Sequence, residues 1–210
     1  MTKVLVVNSN PKPTDLSFSL RLADHYLQEL QSQSNVEVER IDLYSEEVPL
    51  IDGTVLDAWG KAAQGQELSA EQGRILGRMN EILEQFLAAD VVVFVTPMWN
   101  IGFPPMVRAY IDNITIAGRT FKYTAEGPQG LAGDKKVVHI EARGGVYGEG
   151  STPQPFQFTG GYLQAILGFI GITNFESVIV EGMAAMPDQA EQLLAAAKER
   201  ATESARNLLK

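Results

Sequence analysis

Cysteine is absent from the chain, which excludes disulfides, thiolate nucleophiles and cysteine-ligated zinc or iron–sulfur centres together. Histidine occurs only at His25 and His139, on an expected helix and inside an expected strand. No paired carboxylates stand near either to complete a metal set, so both are expected to be structural. Positive charge is scarce: 17 Lys and Arg face 26 Asp and Glu, a net charge of −9. That balance argues against a nucleic-acid backbone or an anionic membrane surface as the main partner. No apolar run approaches the roughly 18–20 residues of a membrane helix. The short Val4–Val7 run is not a signal-peptide core, so a cytoplasmic protein is expected.

Missing motifs narrow the chemistry further. There is no G-x-x-x-x-G-K-[ST] for a nucleoside triphosphate and no G-x-G-x-x-G after the first strand for a dinucleotide. Ser9 has neither a nucleophile elbow nor a histidine partner, which argues against a hydrolase. A phosphoacceptor receiver domain needs acidic residues where this chain has Asn8-Ser9 and Pro97-Met98.

What remains is an alternation of strands and helices. Hydrophobic residues make up 45%, enough for a substantial core, and the 210 residues fit a single domain spanning 1–210. Val4–Val7 and Val91–Val95 are continuous apolar runs, suited to strands covered on both faces. Val36–Ile41 alternates, as an edge strand does, while Val137–Ile140 and Phe175–Val180 supply two more strands. Helical spacing marks Ser17–Leu30, Met106–Ile116, Phe156–Ile170 and Gln189–Leu209. Val55–Leu87 is helix-rich but broken near Gly65, and Ser69-Ala-Glu-Gln72 resembles a capping box restarting it. Five strands alternating with helices predict a parallel sheet with helices on both faces. In the doubly wound order 2-1-3-4-5 the most apolar strands, one and three, lie inside.

Such sheets bind ligands beyond the carboxyl ends of the strands, where strand order reverses between strands one and three. Three loops meet there. Asn8–Ser19 carries Ser9, Ser17 and Ser19, the last two opening a helix whose free N–H groups suit a phosphate monoester. Thr96–Pro105 holds three prolines, Gly102, Trp99 and Phe103: a stiff backbone able to aim amides at a planar ligand, with aromatics for its face. Ala142–Gly150 contains Arg143-Gly144-Gly145, which allows close backbone approach, and Tyr147, which can cover a ligand. A ligand with one phosphate, a polar chain and a flat aromatic ring fits all three loops. Flavin mononucleotide (FMN) is such a ligand.

End to end, the chain resembles the FMN-dependent NADH azoreductases, flavodoxin-like NAD(P)H:quinone oxidoreductases. The resemblance is carried most specifically by Pro97-Met-Trp-Asn100 with Phe103-Pro104, Asp112 to Gly118, Phe121-Lys-Tyr-Thr124, Gly127-Pro128 and Arg143-Gly-Gly145. It implies a flavodoxin-like three-layer sandwich. Ser9, Ser17, Phe18 and Ser19 would hold the phosphate, Pro97, Met98, Trp99, Asn100 and Ile101 would line the ring, and Ala142, Arg143, Gly144 and Gly145 would approach it from the fourth strand. It also implies a homodimer, with Phe121 and Tyr123 walling a substrate pocket from the partner and Phe103 and Tyr147 nearby. The family often has a hydroxyl residue where this chain has Ala142. The implied reaction is ping-pong two-electron transfer from NADH or NADPH through FMN to quinones, with reductive cleavage of azo compounds to amines. The flavin carries the chemistry, so no catalytic acid–base pair is expected. A general NAD(P)H:flavin or nitro-compound reductase and a flavodoxin-like electron carrier are the rival readings.

Overall fold

The computed structural model describes residues 1–33, 35–148, 150–152 and 154–209. Strands β1 (Thr2–Asn8), β2 (Val36–Asp42) and β3 (Val91–Pro97) alternate with helices α1 (Phe18–Gln33), α2 (Gly53–Ala63) and α3 (Ala70–Ala88). After α4 (Pro105–Ile114) come a hairpin, β4 (Phe121–Thr124) and β5 (Gly127–Gly130), then β6 (Lys136–Ala142), α5 (Thr159–Phe169), β7 (Asn174–Val180) and α6 (Ala190–Leu208). The main sheet is parallel, in the order β2-β1-β3-β6-β7. Set aside the separate antiparallel hairpin and this is the expected order 2-1-3-4-5.

Burial follows from the strand sequences. Every residue of β3 is buried, because both its faces are covered. Along β1 the side chains alternate: Leu5 and Val7 join Val92, Phe94, Val107 and Leu163 on one face, and Val4 and Val6 join Val91, Val93, Leu27 and Leu194 on the other. Each fully buried side chain of this size contributes roughly 1.5–3 kcal/mol. Buried Ala197, Ala201 and Ala205 repeat every fourth residue along α6 and let that helix sit close against α1. At the sheet edges β2 is only partly covered, which its charged alternation allows.

The capping box at Ser69 is formed: Ser69 Oγ accepts from Gln72 N at 3.2 Å, and Gln72 Oε1 accepts from Ser69 N at 3.0 Å. Gln72 Nε2 also donates to Asp57 at 2.7 Å, tying α3 to α2. Buried Lys135 caps the other end of α3, donating to Leu87 O and Ala89 O at 2.8 Å each; burial pushes its pKa down. The helix expected from Phe156 starts instead at Thr159, after a 3-10 turn over Gln154–Phe156. The hairpin was not expected as strands. Its Gly130 packs so tightly on the turn after α5 that a Cβ there would lie 2.2 Å from Gly171 N, so only glycine fits.

His139 and Thr96 link β6 to β3 inside the sheet, Nε2 to Oγ1 at 2.8 Å. Full burial, with the positive charge of Arg143 adding to it, pushes the His139 pKa down to about 3. The folded chain therefore holds this histidine neutral where the unfolded chain, with a pKa near 6.5, protonates it. This contribution to stability is complete above pH 6.5 and is lost as pH falls toward 3, at up to about 1.4 kcal/mol per pH unit. Burial pushes the carboxyl of Glu141 up, which adds a slope of opposite sign. The difference between wild type and His139→Gln isolates the histidine: urea midpoints measured from pH 7 to pH 4 should fall more steeply in the wild type. Parallel curves would show that His139 titrates normally.

Candidate functional site

At the carboxyl ends of β1 and β3, which pair up to Asn8↔Val95, three loops enclose a crevice of about 180 Å³. Asn10, Lys12, Leu16, Ser17, Phe18 and Ser19 line it from the β1 side, Pro97, Met98 and Trp99 from β3, and Ala142, Arg143 and Gly144 from β6. Met183, beyond β7, completes the wall. No carboxylate is among the described lining residues.

One end of the crevice is the start of α1. The amides of Phe18 and Ser19 lie in the first helical turn and have no acceptor among the described residues. Asn10 organises the hydroxyls beside them. Its Nδ2 donates to Ser17 Oγ at 2.7 Å and to Ser19 Oγ at 3.2 Å, while its Oδ1 accepts from Lys12 N at 3.1 Å, which fixes the amide orientation. Asn10 is itself held by Asn8, whose Oδ1 accepts Asn10 N and whose Nδ2 donates to Asp42 at 2.8 Å. Because Asn10 supplies only donors to the serines, and the two hydroxyls share one hydrogen bond of 3.1 Å, a hydroxyl hydrogen remains for a ligand. With two free amides it makes a donor set for an acceptor-only oxyanion.

The β3 loop is closed by reciprocal bonds, Trp99 N to Gly102 O at 2.8 Å and Gly102 N to Trp99 O at 2.9 Å. Asn100 and Ile101, at the tip, have φ of 49° and 67°. A β-branched residue there is sterically unfavourable, at a cost on the order of 1–3 kcal/mol. The turn thus holds Asn100 and Ile101 exposed beyond the lining residue Trp99, whose ring leans on Tyr44. Met98 N donates to Ala142 O at 2.9 Å, joining this loop to the end of β6.

Beyond β6, the amides of Gly144 and Gly145 have no acceptor among the described residues. The Arg143 side chain does not face a ligand. It is buried, with Nε on Glu141 at 2.6 Å, Nη1 on Glu181 at 2.8 Å and Nη2 toward Gln157 and Thr159. Arg143 reaches the crevice as backbone.

Several expected residues lie elsewhere. Ser9 is buried just behind the crevice, and its hydroxyl donates to Val95 O at 2.8 Å. The Tyr147 ring packs against Gly145, where a Cβ would meet it at 3.0 Å, and lines a second cavity of about 540 Å³ between the Arg143–Gly148 turn and α6. That cavity is larger, but both arginines in its lining, Arg143 and Arg200, are already bonded within the protein. Phe103 stacks on Tyr162. Phe121, 7% exposed, packs on Phe169 beneath the hairpin, while Tyr123 above it is 75% exposed. Glu149, within the loop examined from sequence, lies outside the described residues. Asn10, Lys12, Leu16 and Met183 were not anticipated. Asn10 stood in plain view in Asn8-Ser9-Asn10-Pro11, but a turn accounts for that string equally well.

A family model for the flavodoxin-like fold matches residues 2–205. The FMN-dependent NADH:quinone oxidoreductase 3 of Halalkalibacterium halodurans is 45% identical over 210 residues, covering 98% of this chain and 99% of the relative. The FMN-dependent NADH:quinone oxidoreductase of Geobacillus kaustophilus is 46% identical over 209 residues, with the same coverage. Among solved structures, an FMN-dependent NADH-azoreductase from Bacillus anthracis in complex with FMN aligns over the whole of both chains, with a TM-score of 0.94 and 36% identity. A second Bacillus anthracis azoreductase gives a TM-score of 0.90 at 39% identity, covering 98% of this chain and 99% of that one.

Replacing Asn10 by Asp reverses the polarity of the serine cluster. An aspartate accepts the hydroxyl hydrogens and sets a negative charge beside the oxyanion site. FMN affinity should fall by about 100-fold or more, the scale of losing charge-assisted bonds and adding repulsion. Riboflavin, which lacks the phosphate, should bind as it does to wild type. Titration of the apoprotein with both flavins, followed by flavin fluorescence, separates the cases; equal losses for both would mean that Asn10 only holds the loop.

Proposed function

The chain belongs to the flavodoxin-like fold family, and on that premise we propose that it is an FMN-dependent NADH:quinone oxidoreductase that also cleaves aromatic azo compounds to amines. The observation that carries the reading is the crevice itself, which among the described residues is rich in unpartnered donors at both ends and lined by no carboxylate. A phosphate fits one end, and an aromatic ring that gains electron density on reduction fits the other.

Bound there, FMN supplies the reversible two-electron chemistry that no side chain of this protein carries. The chain binds and orients. Phe18 and Ser19 amides with the Ser17 and Ser19 hydroxyls hold the phosphate, and Ser9 braces the loop from behind. Pro97 to Ile101 would line the ring, with Asn100 toward its polar edge. Ala142 to Gly145 would approach it through backbone, Ala142 offering a methyl group where a hydroxyl would give one more bond. A site that takes NADH and the acceptor by turns would give ping-pong kinetics.

The same reading extends to a homodimer acting in the cytoplasm, each chain a single flavin-binding unit. No helix among the described residues is long and apolar enough to cross a membrane. A lone chain exposes Leu50 at 63%, with Ile51, Leu56 and Tyr44 also exposed and Tyr44 touching the crevice residue Trp99. A second copy covering this surface would bury it and bring exposed Tyr123 to the neighbouring site, with Phe121 and Phe103 behind it and Tyr147 on the far side of the turn.

Two measurements test the proposal. Purified protein should carry flavin absorption bands that bleach on anaerobic addition of NADH and return with benzoquinone. Bands that ignore NADH would replace the enzyme by an electron carrier. Fast reduction of free FMN or nitro compounds, with slow quinone turnover, would favour a general reductase. For assembly, sedimentation equilibrium should give a dimer in the wild type and a monomer in Leu50→Asp/Ile51→Asp, with quinone turnover lowered by an order of magnitude or so, as expected for charge buried in an interface core. A wild-type monomer with full turnover would overturn the shared-site reading.

A further inference from the structure

In the turn between β6 and α5, three successive carbonyls are held by the segment that follows β7. Met183 N donates to Arg143 O at 3.1 Å, Ala184 N and Ala185 N both donate to Gly144 O at 2.9 and 3.0 Å, and Gly182 N donates to Gly145 O at 2.9 Å. In a trans peptide unit the N–H points opposite to the C=O, and no described peptide here is cis. Fixing Arg143 O therefore fixes the Gly144 amide, and fixing Gly144 O fixes the Gly145 amide. Both are turned away from the 182–185 segment, and neither has a protein acceptor. Gly144 lines the crevice.

The surroundings hold this arrangement from both ends. Glu181, paired with buried Arg143, accepts from Tyr147 N and Gly148 N at 3.1 Å each, so the far side of the turn is pinned as well. Gly182, at φ +84°, reverses the chain directly after Glu181; a Cβ there would lie 2.4 Å from Met186 Cε. The carbonyls of Arg143, Gly144 and Gly145 and the amides of Tyr147 and Gly148 are thus satisfied by the protein, while the amides of Gly144, Gly145 and Val146 have no acceptor among the described residues; Val146 lines the second cavity, and Gly144 the crevice.

We infer that Gly182–Ala185 is a positioning segment: by holding the carbonyls of Arg143 and Gly144 it aims the Gly144 and Gly145 amides at the flavin ring and favours the reduced, more electron-rich ring. The inference rests on the FMN reading above. Donors fixed in advance need no reorganisation when charge develops, which is where such groups act most strongly. The segment touches the reaction only through the two glycines, and its side chains at Ala184 and Ala185 are exposed.

The test is residue-resolved amide hydrogen exchange by NMR on the full chain, with and without FMN, together with the two-electron reduction potential of bound FMN. In the wild type, FMN should slow exchange at Gly144 and Gly145 as well as at Phe18 and Ser19. Ala184→Pro/Ala185→Pro removes both donors to Gly144 O without changing charge. It should lose the protection of Gly145 and keep that of Gly144, which Met183 still sets, and that of Phe18 and Ser19. Reduced FMN should lose about tenfold more affinity than oxidised FMN, lowering the potential by about 30 mV for a two-electron couple. Ala184→Ser/Ala185→Ser should match wild type. Protection at Phe18 and Ser19 without protection at the two glycines would overturn this inference and leave the FMN reading standing. Protection at none of the four would overturn the FMN reading itself. A folded proline variant with wild-type potential and Gly145 protection would show that the segment only closes the connection to α6. If the double variant fails to fold, the wild-type comparison still decides the aiming, and exchange at Gly144 and Gly145 should then be slower with reduced than with oxidised FMN; equal protection would overturn the preference for the reduced ring.

Discussion

The backbone ladder that joins β1 to β3, from Val4↔Val91 to Asn8↔Val95, is the pairing on which the rest depends. It places two strands side by side whose following chains must diverge. From β1 the chain turns to α1 on one face of the sheet, and from β3 it turns to α4 on the other. Nothing can cross directly over the point of divergence, so a gap opens at the carboxyl ends. The interior of β3 drives the arrangement: its seven buried residues are stable only with neighbours on both sides and helices on both faces. The crevice is a by-product of burying β3.

Into that gap the protein directs backbone N–H groups, and no carboxylate stands among the described lining residues. Arg143 illustrates the division of labour. Its guanidinium satisfies two glutamates and anchors the loop before α5, while Arg143 and Gly144 line the crevice. Glu141 is fully buried and held by Arg143 and Thr159. Removing the arginine would strand that carboxylate, a loss on the order of 3–5 kcal/mol, so the ion cluster is structural even though it adjoins the site. The same separation operates near α1, where Asp42 acts at two removes, through Asn8 and Asn10, on the serine hydroxyls.

Local signals made some of this legible in sequence. Continuous apolar runs located β1 and β3, and Ser69 with Gln72 announced the start of α3, because each is decided within a few residues. The hairpin escaped because its strands are four residues long, its turn carries no Asn-Gly or Asp-Gly, and its position is set by contact between Gly130 and Gly171, 41 residues apart. The late start of α5 has a similar origin, since Gln157 and Thr159 answer to Arg143 on another element. In the crevice, loop position found Ser17, Ser19, Trp99 and Gly144, and the family resemblance added Phe18. It could not find Met183, which arrives from beyond β7, nor tell that Tyr147 lies behind the turn. Those facts belong to tertiary contacts.

The crevice also gathers local costs. Ile101 is held at positive φ nearby, and four amides, those of Phe18, Ser19, Gly144 and Gly145, lack acceptors among the described residues. Water can solvate those amides in an open crevice, so they do not carry the full penalty of buried, unpaired groups. The backbone strain at Ile101 has no such relief. The two buried faces of the sheet supply the stability against which this local cost is set. A ligand that accepts from all four amides and excludes that water binds only the folded chain, and by mass action shifts the whole equilibrium toward it. Catalytic geometry and cofactor-dependent stability therefore have one origin here: donors that the backbone cannot satisfy by itself, held in place by carbonyls that it can.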